Sequence, residues 1–284
     1  MKQRTFPISS VDGRYLEKTQ ELGLYLSEEA LIYDRFIVEL RYLQALQRTR
    51  LIADFSTSDY DRIEAIIARN PRDYSHMEKI AQSVKKIEGK TNHDVKAVEY
   101  YVQRILTANK LSHLKRYVHF ALTSEDVTSN AVAIGLGMSL NKVTIPMIKK
   151  IRYVLDENAK QFHTLPMLSM THGQAASPTT YGKELRIYQV QFKEFVKKFH
   201  SMSVCGKLNG ASGNYNAHMA VFPSHPWFRF TQQFIETHLP KGCIEDYEEV
   251  QLRATLNTNQ IEPHLAHAEI FHLMVRILSV VRNI

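Results

Sequence analysis

Residues 27–46 read SEEALIYDRFIVELRYLQAL, and this stretch predicts an amphipathic helix. Ser27 is a residue type that commonly caps a helix N-terminus, and Glu28 and Glu29 place negative charge in the first turn, where the helix dipole favours it. The large apolar side chains then recur at steps of three and four residues, the period of one helix face. They are Tyr33, Phe36, Ile37, Leu40, Leu43 and Leu46.

The same period continues through most of the chain. It predicts further helices over 58–69, 75–88, 94–108, 124–162, 179–202 and 263–284. Asn70-Pro71 is expected to stop the first of these helices and Gly89 the second, while Pro146 is expected to kink or break the long fourth one. No run alternates like a strand between hairpin turns, so a sheet-based fold is disfavoured. The predicted fold class is therefore all-α, an elongated bundle in which long helices cover one another's apolar stripes.

The composition is that of a globular protein with room for a large core. The chain has 284 residues, of which 44% are hydrophobic, and this size suits one large or two modest domains. The apolar run from Ala131 to Leu140 is too short to cross a bilayer, and the N-terminal MKQRTF lacks the apolar core of a signal peptide. We therefore expect a cytoplasmic protein with no membrane partner. Cys205 and Cys243 have no metal-ligand spacing, so we interpret both as packing residues.

The charge balance favours anionic partners. The formal net charge is +7 and the isoelectric point is near 9.2. Lysine and arginine are nevertheless spread along the whole chain among acidic residues, and no RNA- or DNA-binding signature is present. We therefore expect no nucleic-acid partner. A small substrate carrying phosphate or several carboxylates explains the charge equally well.

A histidine lies in a short polar segment ahead of a predicted helix. Residues 168–178 read LSMTHGQAASP, with His172 between small and hydrogen-bonding residues. Imidazole is the side chain whose proton moves near neutral pH, so His172 is a candidate general acid or base. A purely structural role in a Thr-His-Gly turn is the alternative.

Three polar clusters lie at turns or predicted helix starts. In VDGRY (11–15), the guanidinium of Arg14 could bind a carboxylate or phosphate through two hydrogen bonds. The other two clusters, TNHD (91–94) and the TS pair at 123–124, lie where free backbone N–H groups favour anions. Ordinary loop and capping roles explain each cluster as well.

Two later stretches are also rich in polar groups. GKLNGASGNYNAH (206–218) is a glycine- and asparagine-rich loop that permits close backbone approach to a ligand. It matches neither a P-loop nor a dinucleotide fingerprint. NQIEPH (259–264) offers Gln260 and Glu262 just before the last predicted helix, and a simple helix lead-in is the alternative interpretation.

Together these stretches closely resemble the adenylosuccinate lyases, a family of the fumarate-releasing lyase superfamily that also contains fumarase, aspartase and argininosuccinate lyase. The matching pieces are VDGRY, TNHDVKAVEY, HFALTSEDVTSN, THGQAASPTTYGKE, GKLNGASGNYNAH and NQIEPH, and they follow the family's order along the chain. Two departures are present. Residues 175–177 are Ala-Ala-Ser where the family commonly has Pro-Ala-Thr, and the stretch Pro240 to Leu256 is longer than usual, which leaves the conformation before Gln260 open.

The resemblance implies an anti β-elimination in purine nucleotide biosynthesis. Fumarate would leave adenylosuccinate to give AMP, and it would leave the succinylated aminoimidazole carboxamide ribotide to give AICAR. His172 matches the family's general acid, which protonates the leaving nitrogen. The positions that match substrate-binding residues are Arg14, Tyr15, Asn92, His93, Asp94, Thr123, Ser124 and Gln260. The chemistry requires neither a metal nor an organic cofactor.

The resemblance also implies the architecture and the partners. It predicts an N-terminal helical domain over 1–112 and part of a central long-helix bundle over 113–284, assembled as a homotetramer whose active sites are shared between subunits. The partners would be purine nucleotide monophosphates and fumarate. The family's mobile loop, Ser-Ser-x-Met-Pro-x-Lys-x-Asn with the serine regarded as general base, has no equivalent in these residues. We therefore expect an incomplete central domain that carries half of the acid–base pair, and the last helical pattern runs to Ile284 without a stop signal.

Two other functions remain open from the sequence. One is another fumarate-releasing lyase, such as argininosuccinate lyase. The other is a noncatalytic helical interaction protein derived from the same fold, which the missing serine motif favours and the retained binding motifs disfavour.

Overall fold

A computed structural model describes residues 8–241 and 249–284. The α-helices are α1 (Leu16–Thr19), α2 (Gly23–Leu26), α3 (Glu28–Thr49), α4 (Thr57–Ala68), α5 (Tyr74–Thr91), α6 (Asp94–Ala108), α7 (Ser124–Ser139), α8 (Ile145–Gln161), α9 (Tyr181–Phe199), α10 (Asn216–Val221), α11 (Trp227–Gln233) and α12 (Leu265–Asn283). The short strands are β1 (Pro166–Thr171), β2 (Gln174–Thr180), β3 (Ser203–Gly206) and β4 (Gln251–Ala254). Cys243 and part of the long stretch 240–256 lie outside the described residues.

The predicted all-α fold class is confirmed, and several helix starts follow from their capping residues. The Oγ of Ser27 accepts a hydrogen bond from the backbone N–H of Ala30 at 3.1 Å, so α3 begins at the predicted position. Helix α6 spans the predicted range, Asp94 to Ala108. Local periodicity and capping therefore place these helices correctly.

The predicted stop at Gly89 is wrong. Helix α5 continues through Gly89 to Thr91 and ends at Asn92, whose φ is +50°. The N–H of Asn92 donates to the carbonyl of Glu88 at 2.8 Å. A glycine weakens an exposed helix interior without ending it, whereas a left-handed asparagine after the last turn closes the helix.

The long predicted helix changes its winding just before Pro146. A π-helical turn at Leu140–Thr144 separates α7 from α8, and Pro146 lies in the first positions of α8. Proline cannot donate the i→i−4 hydrogen bond of a helix interior, and the change of winding lies directly before the position where this bond is lost. Residues Ser124–Gln161 are long and apolar enough to cross a membrane by composition, but 67% of the apolar window is buried inside the protein, as in the core helix of a soluble protein.

The described residues form two compact units. The first holds 8–139, 204–241 and 251–264, and the second holds 140–203, 249–250 and 265–284. The boundary predicted between 112 and 113 stays a prediction.

Helix α3 is the centre of the first unit. Every residue from Ile32 to Leu46 is buried, and α4, α5, α6 and α7 all contact this helix. The sequence predicted burial of one face only, because the apolar period alone does not reveal that neighbours surround the helix. Consequently α3 also buries polar and charged side chains, among them Asp34, Arg35, Glu39 and Arg41.

The second unit combines α8, α9 and α12 with a hairpin of β1 and β2. Helix α9 packs against both α8 and α12. Strands β1 and β2 pair antiparallel, with Thr171 opposite Gln174 and an irregularity between Leu168 and Met170. The sequence did not predict this hairpin because both strands are largely exposed and lack an alternating pattern.

Candidate functional site

His172 lies at the tip of the hairpin in the second unit. His172 has a φ of +50° and Gly173 a φ of +73°, and both lie between the paired residues Thr171 and Gln174. Two consecutive residues with positive φ are the signature of a two-residue type I′ turn. The His172 side chain is exposed to solvent. The imidazole is thus presented on a short turn of defined backbone geometry, where a bound molecule can reach it.

The other predicted site residues all belong to the first unit. Asn92, His93 and Asp94 lie together at the junction of α5 and α6. His93 caps α6, because its Nδ1 accepts a hydrogen bond from the N–H of Lys96 at 3.2 Å. Accepting at Nδ1 places the proton of the neutral ring on Nε2, and the side chain is about half exposed at 52%.

A buried arginine holds Asp94. Nη1 of Arg35 on α3 lies 2.8 Å from Oδ2 of Asp94. Partial burial raises the pKa of Asp94, but the hydrogen bond from Val95 N–H and the charge of Arg35 outweigh it and leave that pKa below its ordinary value. The start of α6 is therefore tied to α3 by an ion pair.

A groove of about 390 Å³ lies beside this junction. It is lined by Glu28, Leu31, Ile32, Arg35, Val84, Glu88, Asn92, His93 and Asp94. Three of these side chains are carboxylates, of which Asp94 pairs with Arg35 and Glu28 pairs with Lys85 at 2.6 Å. The groove therefore suits neutral hydrogen-bonding groups, such as sugar hydroxyls or a heterocyclic base, better than a phosphate.

A further histidine, outside the predicted site residues, is held between two glutamates. The Nδ1 of His119 lies 2.6 Å from Oε1 of Glu39, and its Nε2 lies 3.7 Å from Oε1 of Glu99. Burial lowers the pKa of His119, but the hydrogen bond and charge of Glu39, with the charge of Glu99, raise it overall. The backbone φ of His119 is +61°, an uncommon conformation that these contacts help to maintain.

Thr123 and Ser124 lie at the start of α7, four and five residues after His119. The N–H of Thr123 donates to Oδ2 of Asp126 at 2.8 Å, and both predicted side chains are half-buried. Asp126 itself is fully buried. The first turn of α7 is therefore fixed by a carboxylate on that same turn.

The loop 206–218 and the segment containing Gln260 meet in the first unit. The Nδ2 of Asn209 donates to Oγ1 of Thr258 at 2.8 Å. Gly213, with a φ of +78°, approaches the carbonyl of Thr258 so closely that a Cβ would overlap it. Gln260 follows two residues later with an exposed side chain.

Glu262, which the sequence offered beside Gln260, is buried. Its Oε1 accepts from Oγ1 of Thr255 at 2.9 Å, and its Oε2 lies 3.1 Å from Nδ1 of His264. Glu262 therefore supports the segment from within, whereas Gln260 faces outward.

Arg14 and Tyr15 lie on an exposed turn before α1. The guanidinium carbon of Arg14 lies 5.7 Å from the ring centroid of Tyr15. Among the described residues, no hydrogen bond joins the Arg14 or Tyr15 side chain to the other predicted site residues. Within the first unit, the predicted binding residues thus lie as two pairs, one triplet and the single residue Gln260, and each pair or triplet is adjacent in sequence.

A family model described as lyase matches residues 14–238. The chain belongs to the lyase family. The lyase-family match covers most of the first unit and includes every predicted site residue except Gln260.

Curated relatives of this chain carry the name adenylosuccinate lyase. The protein from Vibrio cholerae is 36% identical over 273 residues, that from Haemophilus influenzae 34% over 278, and that from Escherichia coli K12 34% over 273. These matches cover 95%, 96% and 95% of this chain, but only 56%, 57% and 56% of the relatives. The chain thus spans little more than half the length of the curated relatives that it matches.

The fold of the chain is similar to that of a solved fumarate lyase from Mesorhizobium sp. BNC1. The TM-score is 0.63 at 16% identity, and the match covers 93% of this chain and 54% of the solved one. At that identity the similarity supports the fold alone.

Sequence reasoning missed the residues that position the segments of the candidate site. Arg35, Glu39 and Asp126 are buried charges inside helical patterns, and each contacts a segment that carries predicted site residues. The sequence signal that could have revealed them is a charged residue at a core-facing position of an amphipathic pattern, because a charged side chain is rarely buried without a partner. His119 was also visible within the motif HFALTSE.

Proposed function

We propose that this chain carries the substrate-binding and acid-donating part of an adenylosuccinate lyase. The substrates would be adenylosuccinate and the succinylated aminoimidazole carboxamide ribotide, and the products would be fumarate with AMP or AICAR. One observation carries the proposal: motifs far apart in the sequence are joined within one unit. Arg35 holds the TNHD segment, Glu39 holds HFALTSE, and Asn209 connects the glycine-rich loop to Thr258.

The proposed reaction is a two-proton process. A base removes a proton from the carbon beside a succinyl carboxylate, the electrons form the double bond of fumarate, and the C–N bond breaks. The departing nitrogen needs a proton, and we assign its delivery to the His172 imidazole. The exposed position of this ring on a tight turn supports the assignment, since a donor must be reachable from the substrate.

The substrate-binding roles in the proposal go to the residues at helix starts and loop edges. They are Arg14, Tyr15, Asn92, His93, Asp94, Thr123, Ser124 and Gln260. The acidic groove beside His93 supports a contact with sugar or base rather than with phosphate. The carboxylate of Asp94 already pairs with Arg35, which supports a role in shaping the groove alongside any direct contact.

A homotetramer with shared active sites is part of the same proposal. Helix α12 carries Phe271, Val275 and Leu278 on one face, at spacings of four and three residues, and they are 55%, 60% and 60% exposed. An apolar stripe of this kind is typical of a helix that packs against another subunit. A neighbouring subunit would also provide walls around the exposed His172. Sedimentation at micromolar concentration should show a tetramer, and a persistent monomer would contradict this part.

A calorimetric titration of the purified chain with adenylosuccinate tests the proposal. Binding is the primary readout because the expected general base belongs to a motif that these residues do not contain. We expect saturable binding of adenylosuccinate, and of AMP in the presence of fumarate, but not of argininosuccinate. Preference for argininosuccinate would favour the related lyase. The absence of binding to either substrate would favour a noncatalytic interaction protein.

Release of fumarate, followed by ultraviolet absorbance, is the second measurement. Any turnover should depend on adenylosuccinate or the succinylated ribotide. The expected cytoplasmic location is a separate prediction, which cell fractionation tests.

A further inference from the structure

A fully buried ion pair joins α7 to the glycine-rich loop. Nζ of Lys207 lies 2.6 Å from Oδ1 of Asp126, although 81 residues separate the two in sequence, and both side chains have no exposed surface. Removing two charges from water is costly, so a buried pair persists only where further hydrogen bonds satisfy both partners.

The carboxylate of Asp126 satisfies donors from two different segments. It accepts hydrogen bonds from the backbone N–H of Thr123 at 2.8 Å, of Asn209 at 3.1 Å and of Gly210 at 3.1 Å. The ammonium of Lys207 also donates to the carbonyl of Gly210 at 3.1 Å. One charged pair therefore fixes both the first turn of α7 and the backbone at 207–210.

The same face of α7 packs against the start of the glycine-rich loop. Asn130, four residues after Asp126 and on the same helix face, donates from Nδ2 to the carbonyl of Lys207 at 2.7 Å. A Cβ at Gly206 would overlap Oδ1 of Asn130, so a larger residue there would require the Asn130 side chain to move. The loop thus has little freedom to shift along α7.

A third segment is attached through Asn209. Besides its bond to Thr258, the Nδ2 of Asn209 donates to the carbonyl of Leu256 at 3.2 Å. Gln260 lies two residues beyond Thr258. The start of α7 with Thr123 and Ser124, the loop 206–213 and the segment 255–260 are therefore linked in series through Asp126 and Asn209.

We infer that Asp126 and Lys207 are a positioning pair, which holds these three segments as one preorganised surface for the nucleotide substrate. The inference rests on the proposed function and assigns neither residue a contact with substrate. Apolar side chains could match the pair in stability, but they could not accept the three backbone N–H groups. The charges therefore serve the placement of the segments.

The test compares two double variants of the chain. Asp126→Asn with Lys207→Met removes both charges together, which avoids leaving one of them buried alone. Arg41→Met with Glu64→Gln is the matched control, because Arg41 is buried, its guanidinium Nη2 lies 3.2 Å from Glu64 Oε1, and the pair belongs to the same unit. Each protein is measured for thermal unfolding, for hydrogen exchange of individual amides and for affinity toward adenylosuccinate.

We expect amides in 206–213 and 255–260 to exchange at least tenfold faster in the first variant, with exchange in α6 unchanged. Its affinity for adenylosuccinate should fall at least tenfold, while the control stays within threefold of the parent. Amide exchange as slow as in the parent would overturn the inference. An affinity for adenylosuccinate equal to that of the parent, despite faster exchange, would also overturn it. If the first variant does not fold, the parent decides instead: the amides of Asn209 and Gly210, which donate to Asp126, should exchange as slowly as those in the interior of α7. Exchange at the rate of an exposed loop would overturn the inference.

The parent chain separates this inference from the proposed function. A parent that binds no adenylosuccinate contradicts the proposed function. Hydrogen exchange needs no ligand, so unchanged exchange in the variant overturns the positioning role whatever the parent binds.

Discussion

Glu39 Oε1 and His119 Nδ1 lie 2.6 Å apart, although 80 residues separate them in the chain. One helical turn earlier on α3, Arg35 pairs with Asp94, which is 59 residues away. Adjacent turns of one buried helix therefore hold two segments that carry predicted binding residues. This arrangement accounts for charged side chains in the centre of the first unit, where an unpaired charge would be costly.

Replacing Glu39 by glutamine should destabilise the protein in a pH-dependent way. The pKa of His119 is raised above its ordinary value of 6.5, because the hydrogen bond and charge of Glu39 outweigh the effect of burial. A raised histidine pKa contributes stability that is present below pH 6.5 and is lost as pH rises through the folded-state pKa. We expect Glu39→Gln to lower the free energy of unfolding by about 3 kcal/mol at pH 6 and by less at pH 9.

Urea unfolding at the two pH values measures this difference. Glu78→Gln is the control, since Glu78 is exposed on α5 and should cost under about 0.5 kcal/mol at either pH. An equal loss at pH 6 and pH 9 for Glu39→Gln would show that the ion pair is not formed.

His218 should make the protein less stable in acid. The side chain is fully buried, its ring lies 4.7 Å from that of Trp227, and burial lowers its pKa to about 4. The charge of Asp126 opposes this shift and that of Lys207 adds to it. A lowered histidine pKa means that stability is present above pH 6.5 and is lost as pH falls toward the folded-state pKa of about 4.

His218→Phe keeps the aromatic packing and removes this titration. Between pH 7.5 and pH 5 the parent should lose about 2 kcal/mol more free energy of unfolding than the variant. Chemical denaturation at both pH values checks the difference. Parallel losses in the two proteins would mean that His218 is not the group responsible.

Two glycine-to-alanine substitutions should have opposite effects on stability. Gly213 has a φ of +78°, and a Cβ there would overlap the carbonyl of Thr258, so Gly213→Ala should cost roughly 2 kcal/mol or more. Gly89 lies inside α5, and a Cβ there would meet no other part of the protein within 4 Å, so Gly89→Ala should stabilise by about 0.5 to 1 kcal/mol. Thermal unfolding of both variants tests the pair, and destabilisation by Gly89→Ala would contradict the continuous helix.

The substitution His172→Asn should leave the fold intact and reduce catalysis. Asn-Gly is the favoured dipeptide of a type I′ turn, so His172→Asn keeps the hairpin, and the free energy of unfolding should stay within about 0.5 kcal/mol. Where fumarate release is measurable, turnover should fall roughly a hundredfold or more because the imidazole is gone. Unchanged turnover would refute the assignment of His172 as the acid.

The helices and their starting residues were largely predictable from local pattern. Ser27 and the apolar steps that follow it place α3, and the range 94–108 was predicted to the residue, because capping and periodicity act over three or four neighbours. The motifs also indicated the family without any coordinates. The stop at Gly89 failed because a glycine inside an exposed helix resembles one at its end.

The contacts that join the segments of the candidate site depend on packing and have no local signature. Pairs such as Glu39 with His119 and Asp126 with Lys207 join residues 80 and 81 positions apart, and no short-range period encodes which buried charge meets which. The hairpin that carries His172 was likewise invisible, since its strands are exposed and lack alternation. Residue types and helix periods determine the helices and the chemical groups that are available. The close packing of α3 and α7 with distant segments determines which charged side chains pair with each other. A buried charge is stable only where an oppositely charged or hydrogen-bonding partner lies within reach.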